Sequence, residues 1–319
     1  MTTVSVLIPA FRPTFLGQAI ASVLAQGHED FELIVSDDSG GDALLPVVER
    51  FRDPRIRYVT TAGREGGKEN MRRLWLEARF DLVKYLFDDD ILMPHALGEL
   101  ADEAAASPDA SFVFGGRQTV DARGRVLDDS ARLSAPRIRL DRRALAKRMV
   151  GDIINPIGEF SNVLINRANG VEAADFLSYC GFEMHVVTDV GFFLTAARRA
   201  PCAGVNRLVG AFRRHGDQNS SPEVNPSFAI GLCEWELFIR GELSGGALDR
   251  SDALRAVDKL ATAYVNWSRR LPALAQMSPG IAELRERVEG GETEVLDPAF
   301  RARWDAFVQT VLAAKPRAG

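Results

Sequence analysis

The chain contains, at residues 82–90, the stretch LVKYLFDDD, in which an apolar run is followed directly by three carboxylates. A run of this length and composition predicts a buried β-strand, so the acids stand where that strand leaves its sheet. Open α/β sheets bind ligands at the carboxyl ends of their strands. Three adjacent negative charges destabilise one another unless a cation or a proton offsets them. Residues 91–94, ILMP, continue the apolar sequence at once, which favours a metal or ligand site over a solvated acidic loop.

Strand and helix patterns alternate on both sides of this stretch through the first 115 residues. Further predicted strands, with helical stripes between them, lie at 4–8, 31–35, 55–59 and 110–114. Pro94 suits the first turn of a helix. The alternation predicts an α/β fold whose central sheet is mostly parallel, Rossmann-like and flanked by helices, with right-handed crossovers.

The pattern becomes mixed after Gly115 and helical after Pro222. The mixed part predicts a hairpin at 118–127, strands at 161–165 and 208–212 and a helix at 189–199. We divide the chain into an α/β domain at 1–221, with a first half at 1–115 and a second half at 116–221, and a C-terminal helical appendix at 222–319.

Composition is that of an ordinary globular enzyme, with 46% hydrophobic and 26% charged residues. The net charge of −5 argues against nonspecific binding of nucleic acid. The three cysteines lack metal-type spacing and indicate reduced thiols. No apolar run approaches the roughly 18 residues of a membrane span, and no secretion signal is recognisable. We therefore expect a cytoplasmic protein. The basic stretch 132–148 predicts a solvated helix face, with contact to an anionic acceptor or a membrane surface as the alternative.

A second acidic turn, at Asp37 and Asp38, follows the strand at 31–35. Both acidic turns are expected at the same edge of a parallel sheet, where they suit a nucleotide that needs acceptors for its base and ribose and a cation for its phosphates. Phe11, after the first strand, offers an aromatic face for a base. Other phosphate sites are excluded, because Glu69 stands where a P-loop needs Ser or Thr, and the first strand is not followed by a dinucleotide-binding glycine motif.

Taken together, these motifs resemble glycosyltransferase family 2, whose members have the GT-A fold. The residues that carry the resemblance lie at 4–11, 21–26, 31–39 and 84–94. Agreement is dense over residues 3–100, sparser to residue 221, and does not extend to the helical appendix.

The resemblance implies a role for each matching position. The residues matching the family's donor site are Pro9, Phe11, Asp38, Asn70, Arg73, Asp88 and Arg213. Those matching its metal site are Asp89, Asp90 and His215, with Mn²⁺ or Mg²⁺ as the cofactor. Asp189 matches the catalytic base, with helix capping as the alternative, and Glu159 matches an acceptor contact and is the second candidate for the base. Phe87 stands where many members place their first Asp, so the division of roles among the three acids stays open.

The implied activity is inverting, metal-assisted transfer of a sugar from a nucleoside-diphosphate sugar, commonly UDP-linked, to a hydroxyl group. The expected acceptor is a saccharide, a lipid-linked molecule or a protein. A nucleotidyltransferase and a non-catalytic nucleotide-sugar-binding protein are the alternatives. Residues 204–221 are a candidate lid, and the C-terminal helices a candidate surface for homo-oligomer formation.

Overall fold

The computed structural model of the protein describes residues 2–61, 63–129, 133–216, 218 and 227–314. The strands in chain order are β1 (Val4–Ala10), β2 (Phe31–Asp37), β3 (Ile56–Thr60), β4 (Leu82–Tyr85), β5 (Ile91–Leu92), β6 (Phe112–Asp121), β7 (Val126–Asp128), β8 (Arg137–Leu140), β9 (Val163–Asn166), β10 (Ser178–Tyr179), β11 (Phe182–Glu183) and β12 (Cys202–Arg214). The α-helices are α1 (Pro13–Leu24), α2 (Leu45–Val48), α3 (Gly67–Glu77), α4 (Ala96–Ala106), α5 (Arg142–Met149), α6 (Thr188–Ala197), α7 (Phe228–Ser244), α8 (Arg250–Trp267), α9 (Ser278–Glu289) and α10 (Pro298–Ala313).

The chain forms two compact units that alternate along the sequence. The first unit comprises residues 1–141, 157–177 and 195–215, and the second comprises 142–156, 178–194 and 216–319. The domain boundary predicted between residues 221 and 222 lies outside the described residues.

The first unit is built on one large sheet with the strand order β3-β2-β1-β4-β9-β6-β12-β5. Strands β3, β2, β1 and β4 are parallel neighbours. Every residue of β1, β2 and β4 is buried, as expected for parallel strands whose two faces are both covered. The apolar runs seen in the sequence are therefore the centre of the core, and the predicted α/β fold class with helices flanking the sheet is confirmed.

The other half of this sheet is mixed, and here the predicted elements differ from those observed. β6 is one strand of 10 residues that joins the predicted strand at 110–114 to the first arm of the predicted hairpin. It pairs parallel with β12 and antiparallel with β9 and β7. β5 was not predicted, because a strand of 2 residues carries no periodic signal.

The helix predicted to begin at Pro94 begins later, at Ala96. The Met93 N–H group donates to the Val209 carbonyl oxygen, which continues the pairing of β5 with β12. His95 then adopts a left-handed conformation with a φ of 66°. The chain therefore completes a strand contact with β12 before it can turn into α4.

The basic stretch forms β8 and α5 rather than a single helix face, and Arg132 lies outside the described residues. Its cations form ion pairs with acids of their own unit, namely Arg137 with Glu103, Arg139 with Asp109, Arg142 with Glu242 and Lys147 with Asp252. These pairs give the basic residues intramolecular partners and favour a structural role over contact with an anionic surface.

The second unit contains most of the helices, together with the short hairpin of β10 and β11. Asp249 and Asp297 cap the first turns of α8 and α10 by accepting backbone N–H groups. Arg240 is fully buried and donates to Glu236 and to the carbonyl oxygens of Val295 and Gly280. None of the described helices is both long enough and apolar enough to cross a lipid bilayer.

Candidate active site

The carboxyl ends of β1 and β4 are joined through Asp88. Its Oδ2 atom accepts the backbone N–H groups of Phe11 at 2.7 Å and Arg12 at 2.9 Å. Burial raises the pKa of the Asp88 carboxyl group above its usual range. Asp88 therefore fixes the loop that carries Phe11, in addition to any contact it makes with a ribose.

Asp89 and His215 bring a carboxylate oxygen and an imidazole nitrogen together at this end of the sheet. The His215 Nε2 atom lies 3.0 Å from Asp89 Oδ2, and the imidazole ring packs against Phe15 with ring centroids 5.2 Å apart. A carboxylate oxygen and an imidazole nitrogen are both ligands of divalent metals. Among the described residues, no group of three His, Cys, Asp or Glu side chains is placed to hold a metal ion. A metal ion held by this pair would have to take its remaining ligands from substrate phosphates and water.

Asp90, predicted as a metal ligand, is buried with 1% of its surface exposed. Its Oδ1 atom accepts the Arg213 backbone N–H group at 3.1 Å. Its buried Oδ2 atom makes no hydrogen bond with any group of the described residues. Burial, together with the charge of Asp89, raises the pKa of Asp90 well above its usual range. Asp90 therefore links the acidic loop, residues 88–90, to β12.

Arg213, predicted to contact a diphosphate, has a different set of partners in the structure. Its side chain is buried and donates to the Asp89, Asp121 and Ala122 carbonyl oxygens and to the Gln18 side chain. The guanidinium carbon lies 4.4 Å from the centroid of the Phe15 ring. Arg213 thereby holds the acidic loop and α1 together, beside the ring against which His215 packs.

The predicted base-binding wall lies at the ends of β1 and β2. Phe11 is 37% exposed, and the Arg64 guanidinium lies 4.8 Å from its ring centroid. Asp38 is buried, and its two oxygens accept the Glu65 and Gly66 backbone N–H groups at 2.6 and 2.9 Å. A small cleft next to this wall is lined by Asp37, Gly40, Gly41, Thr60, Thr61 and Gly63. Asp38 therefore orders the loop that brings Arg64 to Phe11.

The other predicted donor residues are less exposed to a ligand than the sequence suggested. Pro9 lies in the buried strand β1. Asn70 is 1% exposed and its Nδ2 atom lies 3.4 Å from the Ser36 carbonyl oxygen. Arg73 pairs with Glu65, in the loop held by Asp38. The direct contact of these residues with a donor stays a prediction.

Glu159, the predicted acceptor contact, forms an ion pair with Arg117 and accepts from Asn162. Gly158, which precedes it, has a φ of 88°, and a Cβ atom there would lie 2.6 Å from Asn162 Nδ2. Sequence reasoning missed Arg117, because the predicted strand ended at residue 114, before it. If β6 had been predicted as a single strand over residues 112–121, Arg117 would have been placed within it.

The predicted lid, residues 204–221, divides differently. Residues 204–214 belong to β12, where a Cβ atom on Gly210 would lie 2.2 Å from Asn162 Oδ1. That glycine permits close packing within the sheet, so this part is not a lid. Residues 217 and 219–221, including the Asn219-Ser220 motif, lie outside the described residues.

Asp189 lies in the second unit, in the first turn of α6. Its Oδ2 atom accepts the Asn155 side-chain amide at 2.7 Å, and its Oδ1 atom accepts the Val190 backbone N–H group at 2.9 Å. The carboxylate is thus oriented from both sides. Sequence analysis did not single out Asn155, whose amide is one of the groups that orient Asp189.

The fold and the acidic sheet edge define an α/β protein of the GT-A class. Residues 5–156, slightly less than half of the chain, match the family model "Glycosyl transferase family 2".

Two curated relatives each match about a third of the chain. The GalNAc(5)-diNAcBac-PP-undecaprenol beta-1,3-glucosyltransferase of Campylobacter jejuni is 35% identical over 108 residues, which are 33% of this chain and 35% of that protein. The UDP-Glc:alpha-D-GlcNAc-diphosphoundecaprenol beta-1,3-glucosyltransferase WfgD of Escherichia coli is 28% identical over 121 residues, 37% of this chain and 47% of that protein. The chain therefore spans less than half of either relative.

A solved structure, S. aureus TarS residues 1–349 in complex with UDP-GlcNAc, resembles the whole chain. The TM-score is 0.55 at 14% sequence identity, and the match covers 99% of this chain and 82% of that one. At this identity the likeness concerns the fold. It extends through the C-terminal helices, which the sequence resemblance did not reach.

Proposed function

We propose that the protein transfers a sugar from a nucleoside-diphosphate sugar to an acceptor hydroxyl group, with inversion at the anomeric carbon. The observation that carries this proposal is the pairing of Asp89, which lies within the region that matches the family 2 model, with His215 at the carboxyl end of parallel strand β4. Exposed Phe11 and the loop fixed by Asp88 lie at the same edge. An aromatic face for a base next to a carboxylate–imidazole pair for a diphosphate-bound cation suits a nucleotide sugar.

Asp189 is the proposed base. Its carboxylate would take the proton of the acceptor hydroxyl as that oxygen attacks the anomeric carbon, and the nucleoside diphosphate would leave from the opposite face. Proton transfer by a positioned side chain contributes about 10²–10⁴-fold to a rate. The amide of Asn155 stabilises the ionised form of Asp189 by a charge-assisted hydrogen bond.

A divalent ion, Mn²⁺ or Mg²⁺, would be held by Asp89 and His215. When bound, it supplies Lewis-acid stabilisation of the charge that develops on the departing diphosphate. Asp90, buried and bonded to β12, supports the loop that presents Asp89.

We propose a UDP-linked hexose as the donor and a lipid-linked saccharide as the acceptor. Two relatives are named as glucosyltransferases acting on diphosphoundecaprenol-linked acceptors, and one of these names specifies UDP-Glc. Such an acceptor would place the protein at a membrane surface during the reaction, without a membrane-spanning helix among the described residues.

The test is a donor screen with UDP-glucose and UDP-N-acetylglucosamine in the presence of Mn²⁺, first without acceptor and then with a lipid-diphosphate-linked saccharide. Glycosyl transfer releases UDP. Release of pyrophosphate would instead indicate nucleotidyl transfer, and binding without turnover would indicate a non-catalytic binding protein.

The base assignment is tested with Asp189→Asn. We expect turnover to fall about 10²–10⁴-fold, while calorimetry shows UDP affinity unchanged. Turnover equal to that of the wild type would remove Asp189 from this role.

A further inference from the structure

Helix α7 begins the C-terminal helical region, and it carries a buried acid that accepts several backbone N–H groups. Glu234 has no exposed surface. Its carboxylate accepts the backbone N–H groups of three consecutive residues, His185, Val186 and Val187, with the Val187 bond at 2.6 Å. Charge-assisted bonds of this kind are about twice as strong as neutral ones, so Glu234 fixes the path of this segment.

The surface of α7 is shaped for the same segment. Gly231 lies one turn before Glu234 on the same helix face. A Cβ atom on Gly231 would lie 2.9 Å from Val186 Cγ1, so the absence of a side chain allows the segment to reach the carboxylate. The packing of the segment and its hydrogen bonds therefore depend on two neighbouring positions of one helix.

The segment held by Glu234 leads directly into α6, which begins at Thr188. Asp189 is the second residue of that helix, and its hydrogen bond to Asn155 is 2.7 Å long. All of these residues belong to the second unit. A change in the path of 185–187 would thus move the start of α6 and the carboxylate of Asp189 with it.

We propose that Glu234 is a positioning residue for the base of the reaction, and that a role of α7 is to hold the segment that presents Asp189. This inference rests on the proposed function, in which Asp189 is the base. Displacement of a catalytic group by about 1 Å can lower a rate about 10²-fold.

The variant that tests it is Glu234→Gln, which keeps the shape of the side chain. The amide has one acceptor oxygen and an NH₂ group that faces the backbone donors, so at least one of the three N–H groups loses its partner. The matched control is Glu242→Gln. Glu242 is an equally buried acid of α7, and it accepts from Tyr179 and Arg142 instead.

Two measurements decide the outcome. Hydrogen exchange at the amides of 185–187 should accelerate at least about 10-fold in Glu234→Gln but not in Glu242→Gln. With the donor found in the screen, kcat should fall about 10–100-fold in Glu234→Gln alone, while the donor KM changes less than about 2-fold.

A double variant separates positioning from general destabilisation. Because Glu234 acts through Asp189, Asp189→Asn/Glu234→Gln should turn over no more slowly than Asp189→Asn. If Glu234→Gln does not fold, Gly231→Ala displaces the same segment while the carboxylate stays in place. It should give the same fall in kcat and the same lack of effect in the Asp189→Asn background.

Four results would overturn the proposal. Equal kcat in Glu234→Gln and Glu242→Gln, additive losses in the double variant, or unchanged exchange at 185–187 would each do so while leaving Asp189 as the base. Wild-type turnover in Asp189→Asn would overturn the base assignment itself and this proposal with it.

Discussion

At the sheet edge of the first unit, the acids Asp38, Asp88 and Asp90 accept backbone N–H groups from loops and strands of the same unit. In the second unit, Asp189 accepts a side-chain amide, and the segment before it is held by a carboxylate of α7. The first region is thus ordered by the acids of its own motif, and the second by a residue 45 positions further along the chain than Asp189. A motif therefore identifies the residues at a site, while the groups that orient them need not belong to any motif.

The largest effect on activity is expected from removal of the metal ion that we propose for Asp89 and His215 in the first unit. We expect activity to be lost with excess chelator and restored by Mn²⁺ or Mg²⁺. His215→Asn should raise the Mn²⁺ concentration for half-maximal activity about 10-fold or more, because a nitrogen ligand is lost. The control is His28→Asn, since the His28 imidazole bonds to the Thr2 carbonyl oxygen at the start of the chain rather than to an acidic loop. Full activity in chelator would show that the first region needs no metal.

A smaller loss is expected in the second unit from Asn155→Ala. Asp189 would lose a charge-assisted hydrogen bond worth about 1.5–3 kcal/mol, so kcat should fall about 10–100-fold with the donor KM unchanged. The control is Asn166→Ala, which removes an amide that donates to the Pro108 carbonyl oxygen instead of to Asp189. It should leave kcat unchanged. Equal kcat in the two variants would mean that Asp189 is oriented without Asn155.

A still smaller effect is expected at the base wall. Phe11→Ala should raise the donor KM about 3–10-fold, because aromatic packing of a base contributes about 1 kcal/mol. kcat should be nearly unchanged, since we propose that Phe11 contacts the nucleotide end of the donor, away from the reacting carbon. A donor KM equal to that of the wild type would remove Phe11 from the wall.

The smallest effect on turnover is expected from substitution of Lys84, which changes the pH dependence of stability instead. Lys84 is fully buried in β4 and donates to the Tyr85 and Ser161 carbonyl oxygens. Burial lowers the pKa of Lys84 to about 7. Between that pH and the usual value near 10.4, the unfolded chain binds more protons than the folded one, so stability rises with pH.

The free energy of unfolding should therefore increase from pH 7.0 to 8.5 by about 1–2 kcal/mol more in the wild type than in Lys84→Met. Urea unfolding at the two pH values measures this difference. The window ends at pH 8.5 because burial raises the pKa of the Cys202 thiol to about 12, and that group makes stability fall with pH once the unfolded thiol ionises. Parallel pH profiles for the two proteins would contradict the prediction.

The parallel half of the sheet could be predicted because β1, β2 and β4 are buried on both faces and are apolar almost throughout. The acidic residues at their ends could be found for the same reason. β8 could not be predicted. Its exposed arginines alternate with half-buried apolar side chains, and the stretch was interpreted as part of a basic helix face. The partners of Arg213 could not be foreseen either, because Gln18 is 195 positions away from it in the sequence. Glu234 lay in a helical pattern with no local sign of its contacts.

The alternation of the two units has a consequence for synthesis. The chain passes between them after residues 141, 156, 177, 194 and 215. β12, which pairs with β6, β8 and β5, is the last strand of the large sheet to be made. On the ribosome, β1, β2, β3 and β4 can associate long before β12 emerges, but Asp90 has no Arg213 to bond and Asp89 has no His215 beside it until then. A nascent chain that stops at residue 200 would contain Phe11 and residues 88–90 but neither Arg213 nor His215, so the parallel half of the sheet is synthesised seconds before the partners of Asp89 and Asp90.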